Sequence, residues 1–120
     1  MVARKQDRDL NGEFELLLCA EGIGEFVREY RAVVGRRFKY DFAWPNDNDR
    51  LLVEIQGGTW VKSGHTTGTG IRRDCEKGNL AQLQDWVCLH FTADMIDDGT
   101  AIRHVKLALE RARDLRSWRR

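Results

Sequence analysis

RRFKYDFAWPNDNDRLLVEIQGG, residues 36–58, decides how this chain is read. Phe38, Tyr40, Phe42 and Trp44 alternate with Arg37, Lys39, Asp41 and Ala43, the period of two expected of a half-buried β-strand. Asp41 then projects from the face opposite the aromatic residues. Pro45 and the run Asn46-Asp47-Asn48-Asp49 supply turn chemistry, because Asn and Asp side chains bond their own backbone and tolerate unusual φ/ψ. Residues 51–56 return as a second strand, with Leu51, Val53 and Ile55 on one face and Leu52, Glu54 and Gln56 on the other. Asp41 and Glu54 thereby set two carboxylates on one side of a strand pair, a group of hard oxygen donors suited to Mg²⁺. A solvated hairpin face would look the same, so the flanking sequence must separate the two readings.

On the N-terminal side, residues 12–21 carry Phe14, Leu17, Leu18 and Cys19 at helical spacing, with Asn11 as the expected N-cap. Glu13 falls in the first turn, where the helix dipole favours a carboxylate; the alternative is that it reaches over the sheet to the acid pair. Gly22 and Gly24 end the helix, and residues 26–34 read as a strand that Gly35 turns into the central pair. On the C-terminal side, residues 57–70, GGTWVKSGHTTGTG, form a long loop rich in glycine and threonine. Such a loop can approach a phosphate backbone closely and offer N–H and hydroxyl donors, and His65 at its centre is either an exposed loop imidazole or a group that contacts a phosphate.

Residues 71–84 place Ile71, Cys75, Leu80 and Leu83 near one stripe, so an amphipathic helix is expected in spite of Gly78. Arg72 and Arg73 oppose the dipole at its start, a cost that phosphate binding would offset. Asp74 and Lys77 are spaced for an i,i+3 ion pair, unless Lys77 turns toward the sheet. Residues 85–92 suit a buried strand returning beside the Glu54 strand. Residues 94–98 read as an acidic connection and residues 100–118 as a final helix, with a basic end over 111–120.

Composition sets the outer limits. The chain has 120 residues, 42% hydrophobic and 32% charged, with a net charge of +1, which describes one domain, 1–120, with a modest core and a frayed stretch over 1–11. Bulk charge does not announce nucleic acid, but Arg28, Arg31, Arg36, Arg37 and Lys39 cluster early. No apolar run approaches membrane-spanning length and residues 1–10 are too polar for a signal peptide, so an intracellular, cytoplasmic location is expected. Cys19, Cys75 and Cys88 form no Cys-x-x-Cys pair and are read as reduced, mostly buried thiols.

The element order helix, three strands, helix, strand, helix is an α/β sandwich with one mixed sheet. An acid on one strand, a turn, then Glu-x-Gln ending the next strand resembles the PD-(D/E)XK nuclease superfamily, with Gln56 where that family usually has Lys. Over residues 13–92 the chain is similar to small phage and bacterial nucleases related to very-short-patch repair endonucleases, through REYR (28–31), RRFKYDFAW (36–44), VEIQGGTW (53–60), His65, DCEK (74–77) and DWVCLHFT (85–92). The resemblance implies a restriction-endonuclease-like αβββαβ core with an added C-terminal helix. It implies Mg²⁺, with Mn²⁺ as substitute, held by Asp41, Glu54 and the Ile55 carbonyl and assisted by Glu13. Gln56 would orient the attacking water, and His65 and Lys77 would stabilise the phosphate, Lys77 supplying the cation that Gln56 does not. Arg36, Arg37, Lys39, Lys62, Arg72 and Arg73 would bind nucleic acid, DNA being expected as the substrate of an endonuclease, with structured, branched or mismatched DNA among the candidates beside linear or single-stranded DNA and RNA. Cutting both strands symmetrically would take a homodimer. A non-catalytic nucleic-acid-binding module on the same fold is the alternative.

Overall fold

The hairpin that opens the sequence analysis lies in the middle of a four-stranded sheet. A computed structural model describes residues 8–57 and 68–118. Its elements are α1 (Leu10–Ala20), β1 (Val27–Tyr30), β2 (Tyr40–Trp44), β3 (Leu51–Ile55), α2 (Gly68–Leu83), β4 (Val87–Phe91), α3 (Ala93–Asp97) and α4 (Thr100–Trp118). The sheet order is β1-β2-β3-β4, antiparallel for the first two pairings and parallel for β3 with β4. The expected α/β class with one mixed sheet is therefore present. A parallel neighbour requires a crossover, and α2 supplies it.

Both faces of the central strands are covered. On one face Phe42, Trp44, Leu51, Val53 and Phe91 meet Phe14 and Leu18 of α1, Ile96 of α3 and Ala101, Ile102 and Val105 of α4. Phe14 stands edge-on to Phe42, with centroids 5.1 Å apart. On the other face Ala43 and Leu52 join Val33, Tyr40, Trp86 and Ala81 of α2 in a smaller cluster. The shared aromatic face expected for Phe38, Tyr40, Phe42 and Trp44 is thus divided. Phe42 and Trp44 go to the first face, whereas Phe38 and Tyr40 pack with the second cluster. The strand begins only at Tyr40, whose hydroxyl donates to the Lys77 carbonyl at 2.8 Å, so α2 draws this ring to its own side.

Several boundaries differ from those expected. Asp9, not Asn11, caps α1, its carboxylate accepting from the Gly12 N–H at 2.9 Å. The first strand covers four residues only, and Glu29 within it has φ +51°. The acidic connection contains a short helix, α3, because Thr92 and Asp94 are helix-starting residue types and Ile96 is buried beneath them. Cys19 and Cys75 are exposed and Cys88 is half-buried, so the cysteines are not the buried set expected. Arg50 fastens the crossover at the start of β3 by donating to the carbonyls of Asp85 and Gln84 at 3.0 and 2.6 Å while its guanidinium covers the Trp86 ring. Among the described residues no helix is long and apolar enough to cross a membrane.

Candidate active site

The ladder between β2 and β3 pairs Trp44 with Leu51, Ala43 with Leu52 and Phe42 with Val53. One step further along this register Asp41 stands opposite Glu54, and there side chains take over from the backbone. The Glu54 Oε1 accepts the Asp41 N–H at 3.0 Å, and the Asp41 Oδ2 accepts the Ile55 N–H at 2.7 Å. Each carboxylate is thus anchored by the other strand's main chain, which fixes both acids without rotamer freedom to spend on binding. The place is the C-terminal end of parallel strands β3 and β4, where open α/β sheets expose a crevice to ligands.

Lys77 of α2 completes the group. Its Nζ donates to Glu54 Oε2 and to the Lys39 carbonyl, both at 2.5 Å, and lies 4.7 Å from the Tyr40 ring centroid. The side chains of Lys77 and Glu54 are only 18% and 15% exposed. The sequence spacing also offered Lys77 an ion pair with Asp74; the structure turns Lys77 to the sheet. Burial pushes the Glu54 carboxyl above the usual carboxylate range, while the Lys77 hydrogen bond works against that shift and the Asp41 charge adds to it. Burial likewise pushes Tyr40 up to about 12. The phenol therefore stays neutral and acts as a donor.

Two features escaped the sequence. Asn11 on α1 donates to Asp41 Oδ1 at 3.4 Å, the helix-to-acid contact that had been expected of Glu13. Glu13 is instead clamped by Arg8, whose Nε and Nη2 donate to it at 3.0 and 2.5 Å while the same guanidinium reaches Asp97 of α3. The Arg8 hydrogen bonds hold the Glu13 carboxyl below its ordinary range. His90 of β4 sits in register beside Glu54, and its Nδ1 lies 3.2 Å from the Gln56 amide nitrogen. No capping or periodicity rule points to either contact, since both depend on how α1 and β4 meet the hairpin.

The basic residues divide as well. Arg36 is spoken for, donating to Glu76 of α2 at 2.7 Å and lying over the Phe38 ring. Arg37 and Arg73 line one open groove with Arg36 and Phe38, and neither forms an ion pair among the described residues. Lys39 contributes its carbonyl to Lys77 and keeps its own side chain exposed, as does Arg72. His65 and Lys62 lie outside the described residues.

The donor set suits a hard divalent cation in type. Among the described residues Asp41 Oδ1 carries only the long contact from Asn11, Glu54 presents a second carboxylate, and the Lys77 ammonium already shows that a cation is accepted beside Glu54 Oε2. Among the described residues no three His, Cys, Asp or Glu side chains converge as ligands, so a cation here would rely on backbone carbonyl or water for the rest of its shell. Comparison with protein-family models, curated proteins and solved structures gives no match. The functional reading therefore rests on this geometry and on the motif order in the sequence.

Proposed function

We propose that the chain is a Mg²⁺-dependent nuclease of restriction-endonuclease-like topology that hydrolyses phosphodiester bonds, with DNA as substrate. The observation that carries this reading is the reciprocal anchoring of Asp41 and Glu54 across β2 and β3, with Lys77 directed onto the same carboxylate pair. Asp41, Glu54 and the Ile55 carbonyl would hold the ion, with Mn²⁺ as substitute. When bound, Mg²⁺ lowers the pKa of a ligand water and neutralises charge developing on phosphate oxygens. The chain's own residues supply positioning. Gln56 orients the attacking water through its amide, which accepts and donates hydrogen bonds but does not act as a base near neutrality. Lys77, held at the site by Glu54, would offer its ammonium to the phosphate. Arg37, Arg73, Arg72 and Lys39 hold the phosphate backbone, and Arg36 orders that edge against α2; the resemblance adds phosphate contacts from Lys62 and His65. Glu13 enters the site only if Arg8 lets it go.

A second reading, a nucleic-acid-binding module without catalysis, draws on the Lys77–Glu54 contact itself, because a carboxylate already neutralised has no need of a metal. One experiment separates the two. Branched, mismatched, linear and single-stranded DNA, and RNA, are incubated with the protein in Mg²⁺, Mn²⁺, Ca²⁺ or chelator. Cleavage in Mg²⁺ and Mn²⁺, with binding alone in Ca²⁺, is the expected result. Cleavage that persists in chelator contradicts the proposed mechanism, and binding without cleavage in every condition establishes the module.

A further inference from the structure

Beside the carboxylate pair, at the open edge of the sheet, α2 and β4 enclose a groove of about 570 Å³. Its wall on α2 is one helix face, Asp74, Cys75, Gly78, Asn79 and Gln82, and its wall on the sheet is Cys88 and His90 with Gln56 at the end nearest the acids. The lining differs from the arginine groove on the other side of α2. Among the described residues no cation faces this space, whereas three amide side chains, an imidazole and one carboxylate do. The amides of Asn79 and Gln82 have no hydrogen-bond partner among the described residues, and Asp74 forms no ion pair there. A phosphate would be repelled by Asp74 and met by no positive charge. A flat, neutral group with N–H donors and ring-nitrogen acceptors would be matched by the Asn79 and Gln82 amides and the Asp74 carboxylate, while the His90 ring nitrogens lie beside Gln56 and Cys88 at 3.2 and 3.8 Å.

Gly78 gives the groove its depth. Glycine within a helix costs about 1 kcal/mol relative to alanine, and a Cβ built on Gly78 meets nothing within 4 Å. The helix face is therefore bare where a side chain would otherwise fill the space. Gln56 links the groove to the acids: one strand position separates it from Ile55, and its amide nitrogen engages His90 Nδ1 at 3.2 Å, which leaves the amide oxygen free.

We infer that this groove is a base-binding subsite that receives one unpaired nucleobase adjacent to the reacting phosphate, with preference for bases that carry an exocyclic amino group. The inference rests on the nuclease reading for the phosphate and on the groove alone for the base. Asn and Gln pair in bidentate fashion with the N6/N7 edge of adenine, and a carboxylate accepts from the amino group of cytosine. Thymine has no amino group to give Asp74. A base reaches this groove only when it is out of the duplex stack, which costs least in a single strand. The substrate class is then a single-stranded or unpaired nucleotide rather than a continuous duplex.

The test titrates the protein with free adenosine, cytidine and thymidine, without metal, following the side-chain amide signals of Asn79 and Gln82 and the ring signals of His90 by NMR. Adenosine and cytidine should shift these signals, and thymidine should bind about tenfold more weakly. Gly78→Leu should abolish the shifts while the thermal midpoint stays at or above that of wild type, because leucine fills the groove and is the better helix former. Asn79→Ala combined with Gln82→Ala, two exposed positions, should remove the preference without unfolding the chain. Shifts by none of the nucleosides, equal shifts by all three, or undiminished binding in Gly78→Leu would each overturn the subsite. Because no metal or turnover is involved, nucleoside shifts in a protein that never cleaves would uphold the subsite and refute the nuclease, and cleavage without shifts would do the reverse.

Discussion

The two faces of the sheet solve different problems with neighbouring residues of the same strands. Phe42 and Val53 are sealed beneath α1, α3 and α4 in an apolar cluster; Asp41 and Glu54, one position along in each strand, are held by backbone N–H groups, with Asn11 of α1 beside Asp41 and Lys77 of α2 on Glu54. The first face has three helices over it, and the second has one, α2, with a smaller cluster beneath. Where helices cover the sheet fully, a carboxylate would be buried without partners at a cost of several kcal/mol. Where a single helix crosses it, carboxylates survive half-covered and anchored. The carboxylate pair lies at the thinly covered end of the sheet, where the desolvation of charge is tolerable.

That contrast is open to attack at both faces. Asp41→Ala and Glu54→Ala should lower turnover by at least about a hundredfold to a thousandfold, the scale set by losing a group that stabilises developing charge, measured by single-turnover cleavage in Mg²⁺, with the circular dichroism spectrum retained. Phe14→Ala should instead lower stability by about 3–5 kcal/mol, read from denaturant unfolding, because Phe14 is fully buried against Phe42 and Phe91. A Phe14 variant that keeps its stability, or an acid variant that loses its fold, would erase the division between the faces.

Lys77→Met tests the bridge between them. It leaves Glu54 half-buried without its cation and should cost about 1–3 kcal/mol in the metal-free protein, again by denaturant unfolding. The same carboxyl gives a pH signature. Its folded pKa is raised above the unfolded value, chiefly by burial, so its contribution to stability is complete below the ordinary glutamate pKa of 4.5 and is lost as pH rises through the folded value. Glu54→Gln should flatten stability across that window in thermal melts without metal, and an identical pH profile in wild type and variant would refute the assignment. The smallest effects belong to the surface. Arg37→Ala and Arg73→Ala should each reduce the salt slope of nucleic-acid binding by about one unit, whereas Arg36→Ala, already paired with Glu76, should change it less.

The hairpin and its acids were legible because a strand alternation carries its own register. Once Trp44 pairs with Leu51, Asp41 must fall opposite Glu54. The final helix was legible from the same kind of local pattern, and its bounds, Thr100–Trp118, are those expected. What failed were contacts decided by tertiary approach. Tyr40 follows α2 rather than its strand's alternation. Glu13 has the right residue type on the right helix, but Arg8, which also binds Asp97 89 residues away in sequence, claims it, and Asn11 takes the place beside Asp41. The choice of Lys77 between Asp74 and Glu54 could not be read from an i,i+3 spacing, because a half-buried carboxylate at the sheet attracts an ammonium more strongly than a solvated one on the same helix.

The central claim, that the thinly covered face is a cation site built by Asp41 and Glu54, is tested most directly by thermal unfolding of wild type, Asp41→Asn and Glu54→Gln with and without Ca²⁺, which binds without the turnover Mg²⁺ would support. A ligand bound only by the folded state stabilises it by about 2.7 kcal/mol at a hundred times its Kd. The wild-type midpoint should rise with Ca²⁺ concentration while both variants stay where they are in its absence. A wild-type midpoint indifferent to Ca²⁺, or one that rises equally in all three proteins, would contradict the account.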